Sequence, residues 1–384
     1  MNCKYLGRCG SCVLALSYNE QKALKMAKIS ELFKDFWNGE FEFFSSNEIG
    51  FRSRAEFAIW HENGDISYAM RGLNLENRQN LSNTSTISTN KKSPQKLPID
   101  SCQIVDSKIA TLMPQLLNAI KSDKELVERL FGAEFISSAN SLVATLLYHK
   151  NVADISLNLI NLQSQLDIGL IARSRGVKLE FGPVKISEIL NINEQSFNYE
   201  MSDTAFIQPN KKMNEMMIWW AINGISDGAD LIELYCGHGN FTVPLSTKFN
   251  RVLATEISKS SIDMALKNCE LNSVDNIKFA RLSAAEIMSA MAGERKFERL
   301  RGVELDSYNF SHILVDPPRA GCEKSVLEFM SKIENIIYIS CNPLTLRENL
   351  EILSQTHKVV KFTIFDQFVH TNHIECGVIL RKIS

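Results

Sequence analysis

The sequence predicts an α/β protein with a mostly parallel sheet in its C-terminal half and an α+β domain before it. Residues 231–235, 312–315 and 336–340 are mostly apolar runs, typical of strands buried on both faces. Each run stops abruptly, at Cys-Gly-His-Gly-Asn, Asp-Pro-Pro-Arg and Cys-Asn-Pro respectively. Strand and helix patterns alternate from about residue 230 onward. Because open α/β sheets bind ligands at the carboxyl ends of their strands, we expect a site at this edge.

The bulk composition indicates a globular protein of at least two domains, since 384 residues exceed one ordinary core. No apolar stretch reaches membrane-spanning length, and the polar N-terminal residues do not form a signal peptide. Nine cysteines, mostly within apolar segments, favour a reducing cytoplasm without structural disulfides. The net charge of −2 gives no global argument for nucleic acid, so any RNA contact must come from local patches.

The pattern along the chain predicts three regions. Residues 1–15 form a cysteine-rich segment, and residues 16–200 form a central α+β domain. Within that domain, residues 77–95 are rich in Asn, Ser and Thr and predict a flexible insertion. Residues 201–384 form the domain with the parallel sheet.

Individual elements follow from local signals. Ser17 and Glu20 form a capping box that begins a helix. Residues 50–60 read as a strand that carries two arginines, and helical periodicity covers 260–271 and 324–333. The last two strands, at about 359–365 and 376–381, are joined by a short loop, so we expect the sheet to end antiparallel.

A glycine turn and two acids predict a cofactor site. Gly237 and Gly239 follow the strand 231–235, and glycine lets a backbone approach a ligand closely. The third glycine of a dinucleotide loop is missing, and no P-loop lysine is present. Glu256 ends the next strand, where an acid can accept both ribose hydroxyls, and Asp316 ends a third. This combination fits S-adenosylmethionine better than NAD; the alternative is a tight turn beside ordinary surface acids.

Cys341 is the strongest candidate for a nucleophile, because it ends a strand beside the predicted methyl-donor pocket. Thiolate addition at carbon 6 of uracil makes carbon 5 nucleophilic, and a base must later remove the carbon-5 proton. Glu375, just before the last strand, is the candidate base; alone, such an acid is more often a solvated loop residue. Four other cysteines compete with Cys341 and are more simply core residues: Cys236, Cys269, Cys322 and Cys376.

Residues 200–384 closely resemble the tRNA (uracil-5-)-methyltransferases, and the likeness extends into the N-terminal half. The matching segments are 52–57, 146–150, 206–210, 233–241, 254–257, 316–319, 339–343, 365–368 and 373–377. Asp-Pro-Pro-Arg together with Ser-Cys-Asn-Pro is highly specific for this group. Asn/Asp-Pro-Pro-aromatic motifs instead mark amino-group methylation of bases.

The resemblance implies a class I methyltransferase fold, with S-adenosylmethionine as donor and 5-methyluridine at position 54 of the tRNA T-loop as product. It implies Cys341 as nucleophile and Glu375 as base, acting on a uracil flipped out of the loop. The implied donor contacts are Gln208, Tyr235, Asn240, Glu256 and Asp316. Candidate phosphate contacts, each more simply a solvated charge, are Arg52, Arg54, Lys211, Lys212 and Arg319.

The spacing of Cys3, Cys9 and Cys12, with Cys102 later, departs from the pattern expected of a tRNA enzyme. It resembles the iron–sulfur cysteines of the related rRNA uracil-5-methyltransferases. Four thiolates could ligate a [4Fe–4S] cluster or, alternatively, zinc. Free surface cysteines are the third interpretation.

Several functional alternatives stay open. The substrate could be a uridine in 23S rRNA, or the chain could be an RNA-binding or RNA-folding module in which catalysis is secondary. A 5-methylcytosine enzyme would use the same addition chemistry but would need an acid for cytosine N3. The sequence predicts no membrane partner and indicates no obligate protein partner.

Overall fold

The computed structural model describes residues 1–73, 95–225 and 228–383. The first compact unit comprises Met1–Gln21, Asn47–Ile186 and Val369–Asn372, and the second comprises Lys22–Ser46, Ser187–Phe368 and His373–Ser384. This division differs from the predicted boundaries, because residues 22–46 group with the C-terminal part of the chain. The insertion predicted at 77–95 lies outside the described residues except for Gln95.

The described residues form strands and helices in alternation. The strands are β1 (Glu42–Phe44), β2 (Arg54–Glu62), β3 (Asp65–Arg71), β4 (Lys96–Ile99), β5 (Leu130–Ser137), β6 (Leu142–Tyr148), β7 (Gly169–Ser174), β8 (Val177–Phe181), β9 (Ile186–Ile192), β10 (Gln195–Met201), β11 (Asp230–Leu234), β12 (Arg251–Thr255), β13 (Ile277–Ala280), β14 (Phe310–Val315), β15 (Asn335–Ser340), β16 (His357–Phe365) and β17 (Glu375–Lys382). The α-helices are α1 (Tyr18–Phe33), α2 (Ser107–Lys121), α3 (Lys124–Val127), α4 (Ser156–Leu166), α5 (Lys211–Asn223), α6 (Thr242–Leu245), α7 (Lys259–Leu271), α8 (Ala284–Met291), α9 (Lys324–Met330) and α10 (Pro343–Leu353). Across these described ranges, no helix combines the length and apolar character needed to cross a membrane.

The second unit contains an eight-stranded sheet in the order β1-β16-β17-β15-β14-β11-β12-β13. Strands β13, β12, β11, β14 and β15 pair in parallel, as the alternation of strands and helices predicted. Strand β17 runs antiparallel to both β15 and β16, which confirms the predicted antiparallel ending. The three-residue strand β1, which was not predicted, adds in parallel to β16 at the sheet edge.

The antiparallel direction of β17 determines what meets at the sheet edge. Ser340 at the end of β15 lies opposite Cys376 near the start of β17. Glu375 lies opposite Phe365, the last residue of β16. The residue after β15 and the first residue of β17 therefore lie at the same edge, although about 35 residues of chain separate them.

Both faces of this sheet are covered, which explains why its central strands are mostly apolar. Along β11, Leu231 packs into one core cluster, whereas Ile232 and Leu234 pack into another. Helix α1 contributes the fully buried Ile29 and Phe33 to the second of these clusters, which also contains β15 and β17 side chains. This burial is the physical reason why α1 belongs to the second unit.

The first unit contains a seven-stranded sheet in the order β4-β3-β2-β5-β6-β7-β8. In β2, Ala55, Phe57 and Ile59 are buried and alternate with exposed or half-buried residues, as in a sheet with one solvated face. Helices α2 and α4 contribute Ile109, Leu116 and Leu159 to the same core. The capping box predicted for α1 is present, because Ser17 and Glu20 exchange hydrogen bonds between side chains and backbone amides.

Candidate active site

The carboxyl ends of β11, β12, β14 and β15 lie at one edge of the second unit's sheet. They place Tyr235, Glu256, Asp316 and Cys341 immediately after their strands, and β17 begins there with Glu375. Parallel strands direct their carboxyl ends to one side, whereas the antiparallel β17 contributes its first residue. The sequence motifs therefore meet in space as their positions at strand ends predicted.

The glycine turn after β11 is a tight loop of left-handed backbone. Tyr235, Gly237 and Gly239 have φ values of 63°, 56° and 86°. A Cβ on Gly237 would meet no atom within 4 Å, so the turn leaves open space beside its backbone. The Asn268 side chain donates to the His238 carbonyl at 2.9 Å and holds the turn in place. Such a turn allows a ligand to approach the backbone closely.

Glu256 is tied directly to this turn. Its carboxylate accepts hydrogen bonds from the backbone amides of Gly237 at 3.2 Å and Ser258 at 2.7 Å. Asn240, at the end of the turn, exchanges a reciprocal pair of 2.8 Å amide hydrogen bonds with Asn214 of α5. The two predicted donor contacts on this side thus have their orientations fixed before any ligand binds.

Two acids, Asp316 and Glu375, interact electrostatically with each other and with the candidate nucleophile. Glu375 is only 3% exposed, and burial raises the pKa of its carboxyl well above the usual range, with a further contribution from Asp316. Burial likewise raises the pKa of Asp316. A desolvated carboxyl holds its proton more tightly and is a stronger base once it has lost that proton.

Cys341 is half-buried, whereas Cys236, Cys269, Cys322 and Cys376 are buried. Burial, followed by the charges of Glu375 and Asp316, raises the pKa of the Cys341 thiol to about 11. Arg319 opposes this shift, because a cation stabilises the thiolate. Among these five thiols Cys341 is therefore the accessible one, and it is protonated in the free protein at neutral pH.

The sequence reasoning missed two polar residues of this edge. The Gln367 carboxamide donates to Gln208 at 2.8 Å and to Glu375 at 3.4 Å. Glu233 in β11 is 1% exposed, and burial raises its pKa to about 8. Its Oε2 atom has no hydrogen-bond partner within the described part of the chain. Gln367 and Glu233 lie in the matching segments 365–368 and 233–241, but the sequence assigned a role to neither.

The predicted phosphate contacts differ in their surroundings. Arg54 lies 3.5 Å from Glu56, and Lys211 lies 2.9 Å from Glu188, so each cation already has an acidic neighbour. Arg319 is exposed at the active-site edge.

The four candidate metal ligands of the first unit line one cavity of about 250 Å³. Burial raises the pKa of the Cys12 thiol to about 12, with smaller contributions from Cys9, Cys102 and Cys3. However, no group of three or more His, Cys, Asp or Glu side chains among residues 1–73, 95–225 and 228–383 is arranged to hold a metal ion. The cysteines therefore share a cavity, but their arrangement does not fit a metal or cluster site.

Comparisons with known proteins identify the family to which the sequence is similar. A family model described as tRNA (Uracil-5-)-methyltransferase matches residues 17–383. A tRNA/tmRNA (uracil-C(5))-methyltransferase of Campylobacter concisus (strain 13826) is 50% identical over 381 residues, covering 99% of each chain. A protein of the same name from Aliarcobacter butzleri (strain RM4018) is 43% identical over 393 residues, covering 100% of each.

The fold is also similar to that of a solved structure, the Pyrococcus abyssi tRNA (uracil-54, C5)-methyltransferase in complex with S-adenosyl-L-homocysteine. The TM-score is 0.70 at 18% identity, over 97% of this chain and 86% of that chain. The chain has the class I methyltransferase fold, as predicted. The chain belongs to the tRNA (uracil-5-)-methyltransferase family. Membership makes it a methyltransferase with S-adenosylmethionine as its methyl donor.

Proposed function

We propose that this protein methylates carbon 5 of a uridine in tRNA, at position 54 of the T-loop, through a covalent adduct with Cys341. The observation that carries the proposal is the meeting of Cys341, Asp316 and Glu375 where β15 ends and β17 begins. The names of the Campylobacter and Aliarcobacter relatives support tRNA as substrate. The name of the Pyrococcus abyssi protein supports position 54.

Each step assigns one task to a residue of this chain. Cys341 reacts as the thiolate, after its proton has left to solvent: its Sγ bonds to carbon 6 of the uracil, and the electron pair of the C5–C6 double bond moves toward the carbon-4 oxygen, which makes carbon 5 nucleophilic. Carbon 5 would take the methyl group that S-adenosylmethionine supplies, and the donor would leave as the thioether S-adenosylhomocysteine. Glu375 then removes the carbon-5 proton, and the electron pair left behind expels the Cys341 thiolate from carbon 6.

The electrostatics of the site suit this order of events. In the free protein the raised pKa of Cys341 keeps its thiol protonated beside two acids. A protonated thiol is a weak nucleophile, so side reactions with solutes are suppressed. The raised pKa of Glu375 makes its carboxylate a stronger base than an exposed glutamate. Exposed Arg319 is the local cation that favours thiolate formation.

We propose that the donor lies along the turn after β11. Gln208, Tyr235, Asn240, Glu256 and Asp316 would hold it, with Glu256 accepting ribose hydroxyls and Asp316 accepting from the donor's ammonium group. The backbone amides that already bond Glu256 keep its carboxylate oriented. A nearby ammonium would lower the raised pKa of Asp316 and stabilise its charged form.

Changing Glu256 or Asp316 to alanine should therefore weaken S-adenosylmethionine binding. Each variant removes a hydrogen-bond acceptor from a buried ligand, which costs on the order of 1–3 kcal/mol. Isothermal titration calorimetry measures this loss directly. Glu286→Ala, which removes the capping carboxylate of α8, is the control for stability effects. Unchanged donor affinity in both variants would contradict the pocket.

The RNA substrate is tested separately from the chemistry. In a strain lacking the gene, nucleoside mass spectrometry of purified tRNA should show loss of 5-methyluridine, whereas 23S rRNA should be unchanged. Loss from 23S rRNA alone would instead support the rRNA alternative. Unchanged methylation in both, with altered RNA folding, would support the RNA-binding module. A cytoplasmic location stays a prediction from the sequence.

The spacing of the cysteines also predicts a [4Fe–4S] cluster on Cys3, Cys9, Cys12 and Cys102. Their common cavity supports this, whereas the arrangement of their side chains counts against it. Anaerobically purified protein with a cluster should absorb broadly near 400 nm and contain about four irons per chain. Zinc without iron would indicate a zinc site. Metal-free protein whose stability is unchanged by Cys12→Ser would leave the four as ordinary thiols.

A further inference from the structure

The connection between β16 and β17 places a buried carboxamide against the candidate base. Gln367 is 2% exposed, two residues beyond the end of β16. Its Nε2 atom donates to the Gln208 Oε1 atom at 2.8 Å and to the Glu375 Oε2 atom at 3.4 Å. One amide group therefore links a predicted donor contact to the predicted base.

The backbone around Gln367 is held from both sides. Lys25 of α1, only 2% exposed, donates to the Asp366 carboxylate at 2.6 Å and to the Phe368 carbonyl at 3.1 Å. Asn210, which also caps α5, donates to the Gln367 carbonyl at 3.3 Å. Lys25 therefore holds the residues before and after Gln367, and Asn210 holds the backbone of Gln367 itself. A turn at the protein surface would not need this many buried hydrogen bonds.

The side chain of Gln367 is not explained by the fold alone. Its Oε1 atom is buried, and no described residue offers it a hydrogen bond. A buried amide with an unsatisfied oxygen costs free energy, because that oxygen has lost its hydrogen bonds to water. An apolar residue of similar size would avoid this cost. The carboxamide therefore has a use that outweighs it, and its two acceptors indicate what that use is.

We propose that Gln367 is a positioning residue for Glu375, which orients the carboxylate of the base toward carbon 5 and favours its ionised form. This inference rests on the proposed function. The same amide fixes Gln208 with its oxygen toward Gln367, and therefore with its NH₂ group away from it. The Lys25–Asp366 ion pair acts on Glu375 indirectly, because it holds the backbone that carries Gln367.

The expected effect on pH dependence follows from the groups that face Glu375. Asp316 raises the pKa of the Glu375 carboxyl, whereas Arg319 and the Gln367 hydrogen bond lower it. The thiols of Cys341 and Cys376 also lie within its electrostatic reach. Removing the Gln367 donor takes away one of the two stabilising influences on the carboxylate. The base should then lose its proton only at higher pH.

The test compares Gln367→Met with Gln367→Glu. Methionine keeps the size but removes the donor, and glutamate places an acid where the donor was. In a single turnover, release of the methylated T-arm RNA transcript from its covalent adduct should be slowed about tenfold at neutral pH in Gln367→Met, because that is the step that needs the base. The midpoint of its pH–rate profile should rise by about 0.5–1 pH unit, and that of Gln367→Glu should rise further.

Asn335→Leu is the matched control, because Asn335 donates an amide hydrogen bond to the Ser311 carbonyl at the opposite end of β15. It should lower thermal stability without moving the pH midpoint. Gln367 variants that slow the reaction but keep the wild-type midpoint would make Gln367 a structural residue and overturn the proposal. If the wild-type protein neither methylates the transcript nor forms an adduct with it, the proposed function itself fails.

Discussion

Replacing Cys341 with alanine should abolish methyl transfer to RNA while leaving the affinity for S-adenosylmethionine nearly unchanged. Without the thiol, carbon 6 of uracil receives no nucleophile, so carbon 5 never becomes reactive enough to take the methyl group. The rate should fall by more than about 10³-fold. Donor binding should persist, because the Glu256 carboxylate and the glycine turn are tied to each other by hydrogen bonds that do not involve Cys341.

Covalent trapping identifies the thiol directly. RNA that contains 5-fluorouridine should be methylated but not released, because fluorine at carbon 5 cannot be removed as a proton is. Peptide mapping of the adduct should find Cys341, the half-buried thiol, rather than the fully buried Cys376 beside it. Cys269→Ala, a change of the same kind on α7, is the control and should retain activity. Turnover by Cys341→Ala, or an adduct at Cys376, would refute the assignment.

Adduct formation should also depend on pH in a defined direction. The pKa of the Cys341 thiol is raised to about 11, so only a small fraction is thiolate at pH 7 in the free protein. The rate of trapping should therefore increase as pH rises above neutrality. Arg319→Met should slow trapping at any given pH, because its positive charge lowers the pKa of that thiol.

Changing Glu375 to glutamine should stall the reaction after the methyl group has been transferred. The neutral amide cannot take the carbon-5 proton, so the bond between Cys341 and carbon 6 cannot break. A methylated protein–RNA adduct should accumulate and appear as a slowly migrating band on a denaturing gel. Multiple turnover should fall by at least about 10²-fold, the range for loss of a general base.

The pH profile and the stability of this variant provide its controls. Wild-type turnover should fall as pH drops through the raised pKa of Glu375, and the variant should lack that limb. A buried acid with a raised folded pKa loses stability as pH rises above its unfolded pKa, because the unfolded chain releases its proton first. Glu375→Gln should therefore be at least as stable as wild type at alkaline pH. Wild-type turnover by the variant would leave Glu375 as a structural acid.

The local signals that predicted the C-terminal sheet were strong for a physical reason. Strands buried on both faces are mostly apolar on both sides, so the runs that end before Cys236, Asp316 and Cys341 were visible in the sequence. The polar residues after them had to lie at one edge, because parallel strands share a direction. The capping box of α1 was equally local, since Ser17 and Glu20 satisfy each other's backbone amides.

Contacts between distant segments could not be predicted in this way. Strand β1 has only three residues and becomes a strand by pairing with β16, more than 300 residues later. Helix α1 belongs to the second unit because Ile29 and Phe33 are buried in its core, which the amphipathic pattern alone does not specify. Unit boundaries depend on such long-range burial, so they differ from those that composition suggested.

The sequence by itself determined the fold class and the family resemblance. It also placed the Cys341 thiol at the end of one strand and the Glu375 carboxyl at the start of another. The tertiary structure alone decided the pKa values of these two groups. Desolvation and the nearby acids raise the pKa values of Cys341 and Glu375, and both effects depend on packing rather than on residue type. The contact between Gln367 and Glu375 arises because β16 and β17 pair antiparallel, so the residues that follow β16 lie at the edge where β17 begins. A motif specifies which groups are present, whereas their distances and solvent exposure are properties of the folded chain.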